Sequence, residues 1–388
     1  MPSYLSPFDP HVHLRGNEYP TQDFLGLAFR DAEAVGLCGM AEMPNPSPQL
    51  TDVLPIHARL EQVKNSRDSH TPHHFIHVGI TNDTCQVQRA LDLVESHTHV
   101  LGDKTFYTHS TGNMGVLDKD YQDHLWKLKA ERGYKGVSIG HFEDETLYKG
   151  VFNPDDPASH SRVQHEEAEL AQVVRQIASA KRWGFEGKFY IAHVSSPLTV
   201  EFVKSIRASC GFEIILEATF HHTLLCWGAY TDSGNLVKMN PPLRCRKSMA
   251  AMMQHVLDGN INIIGTDHAP HTLARKNDPT SPASGIPALP YWPRFIEILQ
   301  DLGCSRGLID SMTYYTAARL FKFDTHRARD GRCNVNIDYD PSLWDVYGWN
   351  PFEWVDKTYS SKKEKAQFAS NALGSTDRGE NGLYGTGY

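Results

Sequence analysis

Along the chain, short apolar or alternating runs are each followed by a longer stretch in which apolar residues recur at helical spacing. The runs predict strands at Pro7–His13, Leu37–Met43, His74–Gly79, His99–Phe106, Gly136–Phe142, Lys188–Val194, Phe212–Ala218 and Ile261–Asp267. Between them the spacing predicts helices at Thr21–Val35, Asp52–Lys64, Thr84–His97, Lys119–Arg132, His165–Trp183, Pro197–Ala208 and Lys247–Leu257. Thr51-Asp52 and Ser196-Pro197 supply helix starts, a capping side chain with proline in the first turn in the second case. Strands alternating with helices argue for a parallel sheet, and eight such units favour an α/β fold closed as a (β/α)8 TIM-like barrel. No GxGxxG turn follows the first strand, which weakens a doubly wound dinucleotide-binding sheet. Helical patterns at Trp292–Leu302 and Ser311–Leu320 come after the eighth unit. The expected organisation is one catalytic barrel over 1–330 and a C-terminal extension over 331–388. Within it, Gly331–Asp356 should be irregular or short-stranded, and the polar, glycine-rich tail from about Ser360 should be flexible.

Composition narrows the function. A chain of 388 residues with 40% hydrophobic and 22% charged residues can bury a sizeable core. A net charge of −8 argues against a surface for nucleic acid or an anionic membrane, either of which would need a basic face. The seven cysteines are scattered without a CxxC pair and read as reduced thiols. The start MPSYLSPFDPHVH lacks the basic and apolar regions of a signal peptide, and no apolar run reaches the roughly 18 residues of a membrane span. A cytoplasmic enzyme acting on a small molecule is the expectation. The 21 histidines point weakly toward metal or acid–base chemistry.

Barrel enzymes build their sites at the C-terminal ends of the strands. The first strand ends in Asp9-Pro10-His11-Val12-His13-Leu14-Arg15, where alternation puts His11 and His13 on one face, a half-site for a zinc-like metal. His-x-His alone is a weak signal, since two partly buried histidines would look the same. The fourth strand carries Lys104, the fifth ends in His141, the sixth in His193 and the eighth in Asp267, so six metal-site side chains share one rim. A lysine joins such a set if burial lowers its pKa and the neutral amine adds carbon dioxide, giving an anionic carbamate. If the fourth strand slips by one residue, Asp103 takes its place.

Three segments together resemble the dihydroorotase family of amidohydrolases: Asp9–Arg15, Met43-Pro44-Asn45, and Gly265-Thr266-Asp267-His268-Ala269-Pro270-His271. The likeness runs from about Phe8 to Phe321. It implies one metal on His11, His13, carbamylated Lys104 and Asp267, and a second on Lys104, His141 and His193, most simply zinc in both places. It further implies a hydroxide bridging the metals and Asp267 as the proton carrier. The reaction would be the reversible hydrolysis of (S)-dihydroorotate to N-carbamoyl-L-aspartate in pyrimidine biosynthesis, and the family analogy suggests a homodimer. Arg15, Asn45 and His271 would hold the substrate carboxylate, and Asn240, in Asn240-Pro241-Pro242-Leu243-Arg244, the ring amide. Thr108–Asn113 resembles a loop that closes over substrate in some members.

Several readings remain beside that one. Arg15 could instead pair with Glu18 or Asp23, and His221-His222 is best read as structural. Only eight residues precede Asp9, so the β-sandwich that opens many amidohydrolases should be absent or reduced. A hydantoinase, dihydropyrimidinase or allantoinase would keep the metal set without needing the carboxylate clamp. A catalytically silent partner of a carbamoyltransferase should have lost ligands, and here every expected position is filled.

Overall fold

The computed structural model describes residues 4–66, 72–109, 114–322, 334–335 and 337–359. The tail from 360, Cys333, and Ser110–Asn113 of the loop after the fourth barrel strand lie outside these described residues.

A two-residue strand β1 (Tyr4–Leu5) pairs antiparallel with β10 (Asn334–Val335). The main sheet has eight parallel strands in chain order. They are β2 (Phe8–Val12), β3 (Gly39–Glu42), β4 (His73–Gly79), β5 (Val100–Phe106), β6 (Val137–His141), β7 (Lys188–Ile191), β8 (Glu213–Ala218) and β9 (Ile263–Ile264). The sheet closes into a barrel where Val12 bridges His268 in parallel and His13 N donates to His268 O at 2.7 Å. Asp9 clamps the same seam, accepting from Thr266 N (3.2 Å), Thr266 Oγ1 (2.6 Å) and Trp292 Nε1 (3.2 Å).

Each predicted strand is present, and the differences sit at the ends. β7 stops at Ile191 and β9 at Ile264, short of the predicted Val194 and Asp267. Their next functional side chains, His193 (φ 37°) and Asp267 (φ 49°), lie in the left-handed region, which no strand can continue through. The helices follow their caps. Asp52, Asp83, Asp118 and Ser196 each accept a first-turn N–H. Helix Glu166–Trp183 starts on three glutamates, carries Lys181 and Arg182 in its last turn and ends at left-handed Gly184, in accord with the helix dipole. Among the described residues, no helix is long and apolar enough to cross a membrane.

The core has two layers. One lies between strands and helices and includes Val78, Trp126, Phe189 and Leu216. The other fills the barrel, from Met43, Ile139 and Tyr190 down to Leu320 and Phe321 of helix Thr316–Phe321, which plugs the floor. The Phe321 ring stands 6.2 Å from Phe8, 5.5 Å from His77 and 6.4 Å from Tyr190. With the floor filled by apolar rings, polar chemistry has only the other end. The described residues after 336 form a 3-10 turn (Pro341–Trp344) and a short helix (Glu353–Thr358) joined by irregular chain, and they dock aromatic residues on the barrel. Phe352 stacks on Tyr291 at 4.2 Å, and Tyr347 donates to buried Asp31 of helix Phe24–Ala34.

Candidate active site

At the mouth, the strand ends and the loops after β8 and β9 enclose one cleft. His11, His13, Arg15, Asn45, His141, His193, Asn240 and Asp267 all line it, with Ser284 and Gly285.

His11 and His13 share a face as the alternation predicts. Their Nε2 atoms lie 3.3 and 3.0 Å from Asp267 Oδ1. Behind them, His11 Nδ1 meets Glu217 Oε1 at 2.8 Å and His13 Nδ1 meets Asn45 Oδ1 at 2.6 Å. With an oxygen acceptor behind each ring to take an Nδ1 hydrogen, each Nε2 can give its lone pair to a metal in the cleft once its own hydrogen is lost. Burial would raise the Asp267 carboxyl, but His11 and His13 outweigh it and hold the group well below the usual carboxylate range. The ligand atoms of His11, His13 and Asp267 all fall within 4.8 Å of one another, a geometry able to hold a metal ion.

A second donor pair stands beside the first. His141 Nδ1 faces His193 Nε2 at 3.0 Å, and His141 Nε2 meets Glu143 Oε2 at 2.8 Å. The His193 ring is 5.2 Å from that of His11. Burial, then the charge of His141, push His193 well below the ordinary histidine range, leaving it neutral. Glu217 joins the two groups, accepting from His193 N at 3.0 Å and Tyr190 Oη at 2.6 Å as well as meeting His11.

Lys104 and Asp103 point to opposite sides of the strand. Asp103 faces outward and pairs with buried Lys129, with Ser138 Oγ donating at 3.0 Å. Lys104 faces inward, fully buried, and its Nζ has no hydrogen-bond partner among the described residues. Burial draws its pKa down to about 8, against the pull of Glu217 and Asp267.

Arg15 lies in the cleft wall through a left-handed turn (φ 61°) rather than by strand alternation. Its Nε donates to Pro270 O at 2.9 Å, and its Nη2 is 2.8 Å from His271 Nε2. Glu18 accepts from Ser47 N and Asp23 caps helix Phe24–Ala34, so both of the alternative partners are engaged elsewhere. Arg59 holds the turn: it donates to Arg15 O at 2.5 Å and grips Glu42 with Nε and Nη2 at 2.8 and 2.6 Å. His222 is structural, placed between Thr219 Oγ1 (2.9 Å) and Pro241 O (3.0 Å). His221 is buried with no hydrogen-bond partner on either nitrogen among the described residues. Thr108 and His109 hydrogen-bond to Glu145, while the rest of the predicted closing loop is outside the described residues.

Sequence reasoning missed Glu217, Glu143 and Arg59. Glu217 had a legible signal, an acidic residue ending the apolar run Ile214-Ile215-Leu216 of a buried strand. Arg59 had none, since a helical arginine is usually exposed.

No family model matches the chain. It is similar to the dihydroorotase of Lactiplantibacillus plantarum, 29% identical over 281 residues, covering 70% of this chain and 61% of the relative. It is also similar to that of Halobacterium salinarum, 28% identical over 288 residues, 72% and 63% of the two chains. The chain thus spans about three fifths of the length of these curated relatives. Among solved structures, L-hydantoinase from Arthrobacter aurescens superposes with a TM-score of 0.69 at 17% identity, covering 87% of this chain and 74% of that one. A dihydroorotase from Campylobacter jejuni gives 0.63 at 15%, covering 83% and 85%. In sequence the chain is similar to these dihydroorotases, and in fold it is a barrel like those of the hydantoinase and dihydroorotase structures.

Proposed function

We propose that this chain is a hydrolase of cyclic amides and that its substrate is (S)-dihydroorotate, opened reversibly to N-carbamoyl-L-aspartate. The observation that carries the reading is Arg15, a buried guanidinium lining the same cleft as His11, His13 and Asp267. A carboxylate-bearing ring can be held by Arg15 while its amide faces the ligand-type side chains.

The donor set fits two divalent metals of the zinc type. His11, His13 and Asp267 would hold one, His141 and His193 the other, and Lys104 as a carbamate would serve both. Bound there, such ions supply carbonyl polarisation and a lowered pKa for water. Lys104 suits its part because a buried amine near pH 8 is partly neutral, and addition of carbon dioxide with loss of one proton gives the carbamate.

The chain's own residues do the rest. Asp267 stays ionised at the outset, as a proton acceptor must. With Oδ1 against both imidazoles, Oδ2 takes the proton from the attacking water. As the carbonyl carbon–nitrogen bond breaks, the same proton passes to the ring nitrogen. Arg15 and His271 orient the substrate carboxylate with Asn45, whose amide nitrogen is left for the cleft once Oδ1 has taken His13. Asn240 meets the ring amide.

The test is turnover of dihydroorotate by metal-quantified protein, followed by loss of amide absorbance. The expected result is ring opening with about two metals per chain, abolished in His193→Ala. Opening of hydantoin or dihydrouracil but not dihydroorotate would overturn the substrate. Inactive protein that takes up no metal would favour a silent partner of a carbamoyltransferase.

A further inference from the structure

One wall of the cleft carries more positive charge than the reaction above uses. It is built from two segments, 238–240 and 283–285, stapled by the fully buried Lys276. The Lys276 ammonium donates to the carbonyls of Lys238 (2.8 Å), Ala283 (2.9 Å) and Gly285 (2.8 Å), which uses all three of its hydrogens. Gly285 N adds a bond to Lys238 O at 2.9 Å. Gly285 itself has φ 130°, and a Cβ there would stand 2.6 Å from Ala269 O and 3.0 Å from His271 Nε2. The wall is therefore pressed against the loop that carries Asp267 and His271.

Lys238 is 9% exposed, and its Nζ donates to Ser284 Oγ at 2.5 Å and lies 5.1 Å over the Phe152 ring. Neither Lys238 nor Lys276 has a carboxylate partner among the described residues. Burial draws both ammoniums down, Lys238 to about 8, and Lys276 also feels the charges of Lys238 and Arg15. Uncompensated buried charges are costly, and an anion in the adjoining cleft offsets that cost. Ser284 transmits the effect. Its oxygen accepts from Lys238 and its hydroxyl donates to Asn240 Oδ1 only at 3.4 Å, a long bond that a carboxylate in the cleft it lines can displace.

We propose that Lys238, acting through Ser284, is a specificity-determining residue that works beside Arg15 to select ligands bearing a carboxylate. The inference rests on the cyclic-amide reading and extends its account of the substrate class. The test uses the full metal-loaded chain and orotate, a planar ring with the same carboxylate, titrated calorimetrically against wild type, Lys238→Met, Lys238→Arg and Ser284→Ala. Lys238→Met should weaken orotate roughly tenfold and flatten the dependence of Kd on salt. Lys238→Arg should restore both, and Ser284→Ala should show a smaller loss. In turnover of dihydroorotate the change should fall on KM more than kcat. Unchanged orotate affinity and salt dependence in folded Lys238→Met would overturn the proposal. So would equal losses in Lys238→Met and Lys238→Arg, which mark a packing role. If Lys238→Met does not fold, Ser284→Ala decides, and unchanged affinity there is the negative result. A wild type that binds orotate in this lysine-dependent way yet leaves dihydroorotate intact would sink the function proposed above and leave this inference standing.

Discussion

The two ends of the barrel are built on opposite terms. At the floor, Phe321 and Leu320 close an apolar interior that includes Phe8, Val137 and Ile215. At the mouth, Lys104 Nζ, His193 Nδ1 and both nitrogens of His221 are buried without a hydrogen-bond partner among the described residues, whereas nearer the floor His77 Nδ1, beside the Phe321 ring, is in that state. Backbone strain divides the same way. Among the described residues, four non-glycine residues have positive φ, and three of them, Arg15, His193 and Asp267, stand at the mouth. The fourth, Lys322, is the left-handed cap of the floor helix, an ordinary way for a helix to end. Each mouth residue costs on the order of 1–3 kcal/mol in such a conformation. The difference teaches that the floor stabilises the fold while the mouth holds its groups ready for ligands at the expense of stability.

If so, activity and stability should separate by mutation. The largest effect expected is at the mouth. Asp267→Asn keeps the volume and an oxygen for the imidazoles but cannot carry the proton, so kcat should fall about 10²–10⁴-fold. The metal-free variant gives up the attraction of Asp267 to His11 and His13 but should stay folded at the assay temperature, as its thermal midpoint will show. A variant that loses activity because it unfolds would break the comparison.

The floor should answer in the opposite sense. Phe321→Ala empties the plug and should cost about 3–5 kcal/mol in urea unfolding. Below its transition the variant should keep the wild-type kcat, because the lost ring lies at the far end of the barrel from Asp267. A fall in kcat comparable to that of Asp267→Asn would show that the two ends are mechanically coupled.

How much of this was legible in the sequence follows from the range of each signal. Strand alternation is local, so it correctly put His11 and His13 on one face and Lys104 and Asp103 on opposite ones. Periodicity found all eight strands but overran β7 and β9, because nothing in the residues of Ala192-His193 or Thr266-Asp267 announces a left-handed turn. The supporting groups were the least legible. Glu217 matters because barrel closure brings it to His11, 206 residues away in the chain. Arg59 matters because it reaches a carbonyl 44 residues back. Lys276, at the end of the short helix Leu273–Lys276, matters because three carbonyls from two other segments surround it. Spacing reports what a residue shares with its own element, and these residues act on other elements.

A third region lies on the outer wall, away from both ends, and offers the smallest effect. Asp31 is fully buried beneath the extension, where it accepts from the Tyr347 hydroxyl. Burial raises its carboxyl to about 6, with the Tyr347 hydrogen bond and Arg30 opposing. In the unfolded chain the same group titrates near 4, so between these values the folded state binds the proton more tightly. Its contribution to stability is therefore full below about pH 4 and is lost as the pH rises through 6, roughly 2–3 kcal/mol in all. Other carboxylates titrate in this window too, so the quantity to measure is the difference between wild type and Asp31→Asn in urea unfolding at several pH values. Asparagine keeps an acceptor for Tyr347 and does not titrate. The gap should change by that amount between pH 4 and 6.5 and stay flat above. Parallel curves across the whole range would mean that the docked extension leaves Asp31 open to water, and that the outer wall is held by its stacked rings, Tyr291 and Phe352, alone.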